Sequence, residues 1–303
     1  MIGHWDDVPW KAHEHRELRC ERQRLSAPRG SAGATLSRYR IPPGARSMPQ
    51  HVHVDEEELF FVLAGSGYSW QGDALHEVRA GDLVAYLADG EPHTLLASKD
   101  EPLEVLAYAS GSPTGLTHLP RAGVSWVGSR WIPQGAPHPF EAEPPAGELP
   151  PVGPRPSTIV ALAEVAETLQ DRGPVRRRRR DLATAAGSRL SGIQHVTVSP
   201  GRRSSTRHCH AREDEVFVVL EGSGELLLGD ERHAVRPGTV VSRPAATGVA
   251  HSFEAGDDGL VMLAYGTRDP AEICWYPDSR KILFDGIGVI IRAQPLDYWD
   301  GEE

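Results

Sequence analysis

This sequence is short of cysteine, of long apolar runs and of positive charge, and each shortage excludes something. Its three cysteines, Cys20, Cys209 and Cys274, are odd in number and far apart in the chain. They form no CxxC pair and no disulfide framework. No apolar stretch approaches the ~20 residues of a membrane-spanning helix. Residues Met1 to Asp7 lack the basic and apolar regions of a secretory leader, so a cytoplasmic protein without membrane attachment is expected. The 32 Lys and Arg residues stand against 42 Asp and Glu, a net charge of −10. That balance excludes a general polyanion-binding surface, and nucleic acid is not an expected partner.

Glycine and proline, by contrast, are abundant, with 31 and 25 residues. This fits many short strands joined by turns. The 303 residues suffice for two domains, and an internal repeat divides them. Pro43-Gly44 recurs as Pro200-Gly201, His51 and His53 as His208 and His210, and Glu58 as Glu215, all 157 residues later. Gly65-Ser66-Gly67, Gly72-Asp73, His76 and Gly81 recur at the same offset. The register slips to 158 for His93 and His251, then recovers at Leu106-Ala107-Tyr108 and Leu263-Ala264-Tyr265. The alignment reaches back to Asp7-Val8 against Glu164-Val165, with Leu25, Gly30 and Ser31 against Leu182, Gly187 and Ser188. Two units are expected, residues 1–150 and 157–303, joined by a proline-rich linker from about Pro133 to Pro156.

Glu58–Leu63 and Glu215–Leu220 are β-branched and aromatic runs ended by Gly-Ser-Gly, and read as strands followed by hairpin turns. Further turns are expected at Gly72-Asp73, Gly229-Asp230, Gly81-Asp82 and Gly238-Thr239. This spacing argues for an all-β sandwich or barrel. One helix is expected over Ile159–Leu169, capped by Ser157 or Thr158 and stopped at Gly173-Pro174. The run Arg176 to Arg180 aligns with Arg19 to Gln23 inside the lead-in of the first unit. It therefore reads as a solvated or ion-paired strand face rather than a nucleic-acid patch.

His51 and His53 are two apart, so in a strand they share a face and can hold one ion. Val52 and Cys209 then point the other way, and Cys209 is not an expected ligand. Glu58 heads the next strand and His93 arrives from a later one. Glu56 and Glu57 are alternative carboxylates, but the repeated spacing favours Glu58. Three imidazoles and one carboxylate suit Fe, Mn, Zn, Ni or Co and leave positions for water or substrate.

These residues carry a resemblance. Gly44…His51-x-His53-x₄-Glu58-x₆-Gly65 followed by Gly81…His93 resembles the paired motifs of the cupin superfamily, and Gly201…His208-x-His210-x₄-Glu215-x₆-Gly222 with Gly238…His251 resembles them again. The chain thus resembles a bicupin. The resemblance implies an all-β fold of two tandem cupin (double-stranded β-helix, jelly-roll) barrels with a few short helices. It implies two metal shells, His51, His53, Glu58 and His93, and His208, His210, Glu215 and His251, holding up to two divalent transition metals per chain. Family relatives with two barrels include oxalate decarboxylase and gentisate-type or quercetin-type dioxygenases. The expected function is therefore a metal-dependent enzyme, dioxygenase-like, acting on a small oxygenated organic molecule. The alternatives are a non-redox isomerase or lyase of sugar-phosphate or carboxylate type, and a metal-containing binding protein. Cupin barrels also pair edge to edge, which allows a monomer or a homo-oligomer.

Phe60 and Phe217 share parity with the glutamates and should point into the barrels as core residues. His76 and His233 follow turns and read as turn or surface residues. His4, His13, His15, His118 and His138 show no ligand spacing. Tyr39, Met48 and Arg207 flank the sites and read mainly as solvated loop residues. An anionic substrate would need cations near the metal, and Arg46, Arg202, Arg203 and Arg207, just before the histidine motifs, are the candidates. Tyr298 and Trp299, in an acidic aromatic tail, are expected to dock on a barrel or a neighbouring domain and cover a sheet edge.

Overall fold

Alternation in the longest apolar strands sets the architecture. In the strand Glu58–Ala64 the side chains of Phe60 and Val62 face one core, and those of Leu59 and Phe61 another. A strand buried on both faces has no solvent side, which explains why it reads as a continuous apolar run. The computed structural model describes residues 2–26, 34–111, 115–128, 130–132 and 139–302. It is all-β apart from short helical turns. One core fills the N-terminal barrel around Tyr39, Phe60 and Tyr86, and a second fills the C-terminal barrel around Phe217, Phe253 and Met262. The third lies between the barrels, where Leu59, Phe61 and Tyr108 meet Val216, Val218 and Tyr265. Tyr108 and Tyr265, repeat partners, stack there with ring centroids 4.9 Å apart.

The two halves share one topology. In the first, Asp82–Tyr86, Glu58–Ala64, Leu103–Ala109, Thr35–Ile41, Leu18–Ser26 and Lys11–His15 are neighbours in that order; in the second, Thr239–Arg243, Glu215–Leu228, His251–Thr267, Ser191–Val198, Val175–Asp181 and Glu167–Arg172 follow the same order. The leading strands are exchanged. Ile2–His4 pairs with Thr239–Arg243, and Ile159–Ala161 pairs with Asp82–Tyr86. Each half thereby covers an exposed sheet edge of the other. A buried carboxylate adds to this junction: Glu57 accepts hydrogen bonds from Ser188 Oγ (2.5 Å) and the backbone N–H groups of Arg189 and Leu190 (both 3.0 Å).

This exchange overturns the expected helix. Ile159–Ala161 is a strand, Leu162–Glu164 a 3₁₀ turn, and Glu167–Arg172 another strand. The local helical pattern loses to the unfilled ladder at Asp82–Tyr86, a tertiary demand that propensity does not contain. The Gly-Ser-Gly segments are corners rather than hairpin turns. The strand Glu215–Leu228 runs through Gly222 and Gly224, pairing with His251–Thr267 on both sides of a register shift. A Cβ at Gly222 would lie 2.1 Å from the Gly259 carbonyl oxygen, at a φ of +75°, so only glycine fits. The hairpins fall at Gly72-Asp73 and Gly229-Asp230, as expected.

The proline-rich segment is docked where it is described: Gly153 donates to the Leu75 carbonyl and Arg155 pairs with Asp82 at 2.8 Å. Residues 133–138, with His138, and Gly30 and Ser31 lie outside the described residues. The tail departs from expectation, since Tyr298 and Trp299 are 84% and 69% exposed and pack on each other. No helix among the described residues is long and apolar enough to cross a membrane.

Candidate metal centres and the C-terminal cavity

The repeat supplies each candidate centre with a histidine pair locked across two strands. His51 and His93 exchange backbone hydrogen bonds of 3.1 and 2.8 Å, and His208 and His251 exchange bonds of 3.2 and 2.8 Å. Such closely paired residues present their side chains on one face. The second histidine of each motif sits in a two-residue strand, Val52–His53 or Cys209–His210. The glutamate opens the next strand, Glu58–Ala64 or Glu215–Leu228.

In the N-terminal half the Nε2 atoms of His51, His53 and His93 lie 3.4, 3.4 and 3.1 Å from Glu58 Oε2. In the C-terminal half, Nε2 of His210 and of His251 lie 3.3 and 2.9 Å from Glu215 Oε2. His208 completes that group, with ligand atoms of His208, Glu215 and His251 within 4.8 Å of one another. Atoms bound to one ion at about 2.0–2.2 Å are separated by about 3 Å, so both arrangements fit a metal. The orphaned atoms argue the same way. Buried His210 Nε2, His251 Nε2 and Glu215 Oε2 make no well-aligned hydrogen bond, although they converge. Unpaired buried polar atoms are costly unless something else satisfies them.

The outer nitrogens are fixed except that of His251, which is buried without a hydrogen-bond partner among the described residues. Nδ1 of His51 lies 2.9 Å from the Pro49 carbonyl, of His93 3.1 Å from that of Glu91, and of His208 2.9 Å from that of Thr206. A carbonyl only accepts, so each Nδ1 donates and Nε2 is left to face the centre. His53 Nδ1 meets Thr117 Oγ1 at 3.0 Å, whereas His210 Nδ1 meets the Glu272 carboxylate at 3.2 Å. Glu272 is buried and also accepts backbone N–H groups from Ala211, Arg212 and Glu213. The position 157 residues before it is Gly115, so the repeat gave no hint of it. Cys274 was also missed as a neighbour of the site. It pairs with His210 across the ladder and groups with His208 and His210.

The glutamate and the second histidine of each centre behave alike. Burial alone would raise the Glu58 and Glu215 carboxyls, but the facing imidazoles outweigh it and hold both well below the usual range. Burial opposes charge on His53 and His210, yet the surrounding carboxylates, Glu58 and Glu215 foremost, push each up to about 9. His93 and His208 are driven down to about 4, chiefly by burial. Burial likewise pushes the Cys274 thiol up to about 12.

The alternative carboxylates separate cleanly. Glu57 turns to the junction between the halves, and Glu56 lies 3.4 Å from the outer nitrogen of His53. Phe60 and Phe217 point into the barrels as expected. Tyr39 is not a solvated loop residue; it is buried beside Phe60. Met48 packs against the same core. His76 and His233 lie within strands and contact the Pro154 carbonyl and Glu231. The arginines selected as anion contacts are already paired: Arg46 with Glu17 and Glu143, Arg202 with Asp171, Arg203 with Glu254 and Arg207 with Asp278. Arg46 is almost fully buried. A cation tied to a carboxylate is a poor receptor for a second anion.

The C-terminal centre opens into a cavity of about 600 Å³, bordered by His208, His210, Glu215, His251, Phe217 and Tyr276 among others. The equivalent space in the N-terminal barrel holds aromatic rings. Tyr86 lies flat on His93, ring centroids 3.6 Å apart and 4° from parallel, and Tyr39 and Phe60 fill the space beneath. The repeat places Val196 opposite Tyr39 and Arg243 opposite Tyr86.

Comparison with known proteins agrees with this architecture. A family model described as a cupin domain matches residues 37–108 and again 194–265. The chain is 36% identical over 109 residues to auxin-binding protein 1 of Arabidopsis thaliana, covering 31% of this chain and 54% of that protein. It thus spans about half the length of the curated relative it matches. Among solved structures, an oxalate decarboxylase–formate complex of Lactobacillus farciminis superposes with a TM-score of 0.60 at 14% identity, covering 89% of this chain and 86% of that one. Oxalate decarboxylase of Bacillus subtilis gives 0.58 at 19% identity, covering 88% and 75%. Identities this low establish the shared fold alone.

Proposed function

Because the chain belongs to the cupin superfamily, with two cupin domains in tandem, we propose that it is a metal-dependent enzyme acting on a small oxygenated organic molecule, with catalysis seated in the C-terminal half. The observation that carries this reading is the cavity of about 600 Å³ against the His208, His210, Glu215 and His251 cluster. Those four residues would hold one divalent transition metal (Fe, Mn, Zn, Ni or Co), and His51, His53, Glu58 and His93 a second. A bound ion would supply Lewis acidity toward the oxygens of the substrate, and toward O₂ if it is redox-active. The chain does the positioning. Glu272 holds the outer nitrogen of His210, Phe217 packs edge-on to His251 at 5.5 Å, and the cavity walls limit the size of what enters.

Dioxygenation of a hydroxylated aromatic acid is the first reading. Metal analysis of the purified protein, followed by O₂ uptake with catechol-like and hydroxybenzoate substrates, tests it. Metal with O₂ uptake that is lost in His251→Ala supports the reading, and no uptake across the panel sinks it. A non-redox lyase or isomerase acting on an anion is the second reading, favoured by the arginines that border the cavity. Turnover of a carboxylate or sugar phosphate without O₂ uptake would select it. Metal without turnover of either class would leave a binding protein.

A further inference from the structure

The five-arginine run has two faces, and only one is neutralised. In the strand Val175–Asp181 alternate side chains point to opposite sides. Arg176, Arg178 and Arg180 take the side with Asp171 and Glu167, at nitrogen–oxygen distances of 3.4, 3.6 and 3.3 Å. Arg177 and Arg179 take the other. They stand directly across the ladder from Val198 and Val196, which are buried in the C-terminal barrel core. Cross-strand partners share a face, so both arginines lie on the barrel side of the strand, Arg177 half-buried and Arg179 exposed, and both border the cavity that contains His208, Glu215 and His251.

Their partners there are neutral. Arg177 Nε donates to Gln170 Oε1 at 3.0 Å, and Arg179 Nε to Thr168 Oγ1 at 3.3 Å. Among the described residues no carboxylate oxygen lies within ion-pairing distance of either, whereas Arg46, Arg202, Arg203 and Arg207 are all paired. Burial and then the Arg179 charge push Arg177 down to about 10, so it remains a cation near neutrality. The carboxylates that border the same cavity, Glu213, Glu215 and Asp285, stand beyond ion-pairing distance, and Glu215 only partly offsets the effects that lower Arg177, so two guanidinium groups one strand repeat apart repel each other across it. A carboxylate or phosphate between them would relieve the repulsion and use their fork geometry. The first half keeps only one member of the pair: the repeat partner of Arg179 is Arg22, which bonds Ser37 and lies 5.3 Å from the centre of the Tyr39 ring, whereas that of Arg177 is Cys20, buried in the N-terminal core.

We infer that Arg177 and Arg179 form the anion-recognition wall of the C-terminal cavity, gripping a carboxylate or phosphate of a small substrate while the remainder reaches the His208–His251 centre. This rests on the functional reading above and adds the charge class of the ligand.

Calorimetric titration of the full-length protein with succinate, inorganic phosphate and uncharged succinamide tests it, with metal content measured in every sample. One anion should bind and succinamide should not; whether succinate or phosphate binds tells a carboxylate from a phosphate site. Arg177→Gln and Arg179→Gln should each weaken that anion about tenfold, the cost of one charge-assisted contact, with metal content unchanged. Arg178→Gln, on the opposite face, should bind like the wild type. Equal loss in Arg178→Gln would reduce the effect to general charge and overturn the inference. So would unchanged binding in the Arg177→Gln/Arg179→Gln double variant, or no binding of either anion to the wild type at millimolar concentration. Arginine-dependent anion binding in a protein without metal would uphold this inference and sink the metal-enzyme reading.

Discussion

The two halves carry the same four types of candidate ligand, three histidines and one glutamate, yet they differ in much of the layer around them. In the N-terminal half, Tyr39, Phe60 and Tyr86 occupy the space beside the cluster. In the C-terminal half, Val196 and Arg243 stand at the positions of Tyr39 and Tyr86, and a cavity opens. His53 leans on a threonine hydroxyl, and His210 on a buried carboxylate. A duplicated site can therefore keep its candidate ligand types while the side chains around them change. A ligand set says what a centre can hold, and the surrounding layer says what can reach it.

The largest expected effect is on turnover. His251→Ala should abolish it, while His93→Ala should leave it largely intact; steady-state kinetics with metal analysis of each variant checks this, and equal losses would break the comparison. Next comes the junction. Glu57→Ala leaves two backbone N–H groups without their acceptor, while Ser188 keeps the Ser191 carbonyl, and should destabilise by about 3 kcal/mol. Its repeat counterpart Asp214 accepts a backbone bond from Ala245 within its own half. Asp214→Ala should cost less in the same denaturant titration.

Glu272→Gln should weaken metal binding in the C-terminal centre about 10- to 100-fold, with a smaller change in the N-terminal centre for Thr117→Val; competition against a chelator measures both. Val196→Tyr copies the N-terminal wall into the C-terminal barrel. It should raise KM and cost about 1–3 kcal/mol from overpacking, and an unchanged KM would show that the cavity does not admit the substrate.

The smallest effect is one of pH. In the metal-free protein His53 and His210 are raised from 6.5 to about 9. A group whose folded pKa is raised adds stability that is fully present below pH 6.5 and is lost as the pH climbs through about 9. The melting temperature of metal-free protein should therefore fall between these values. Metal should flatten that slope, because the ion replaces the proton between imidazole and carboxylate.

Much of this was legible in the chain itself. Two histidines two residues apart share a strand face wherever the strand goes, so the ligand pairs and the demotion of Cys209 needed no tertiary information. Among the described groups able to hold a metal, Cys209 has no part. Turns at Gly72-Asp73 and Gly229-Asp230 were equally local. The repeat continued farther than matching residues revealed: Thr117–Leu119 and the start of the tail strand, Cys274 to Tyr276, occupy equivalent places beside the histidine motifs without one identical residue. Pairing geometry was kept there and side chains were not, so no identity was left to align.

The arginines show where local reading stops. Four that lie close to the histidines in sequence are tied to carboxylates, and two from a run dismissed as an ion-paired face border the cavity. Alternation along the chain stated that the run had two faces; it did not state which face would meet a barrel interior. The sequence by itself determined the longest apolar strands, the hairpins at Gly72-Asp73 and Gly229-Asp230, the two-fold repetition and the four candidate ligand types of each centre, because these follow from spacing and backbone geometry over a few residues. Only the tertiary structure decided the exchange of leading strands, the cavity beside the C-terminal cluster and the neighbours of each arginine. Those depend on which distant segments pack together, and that is settled by the burial of whole faces rather than by any local pattern.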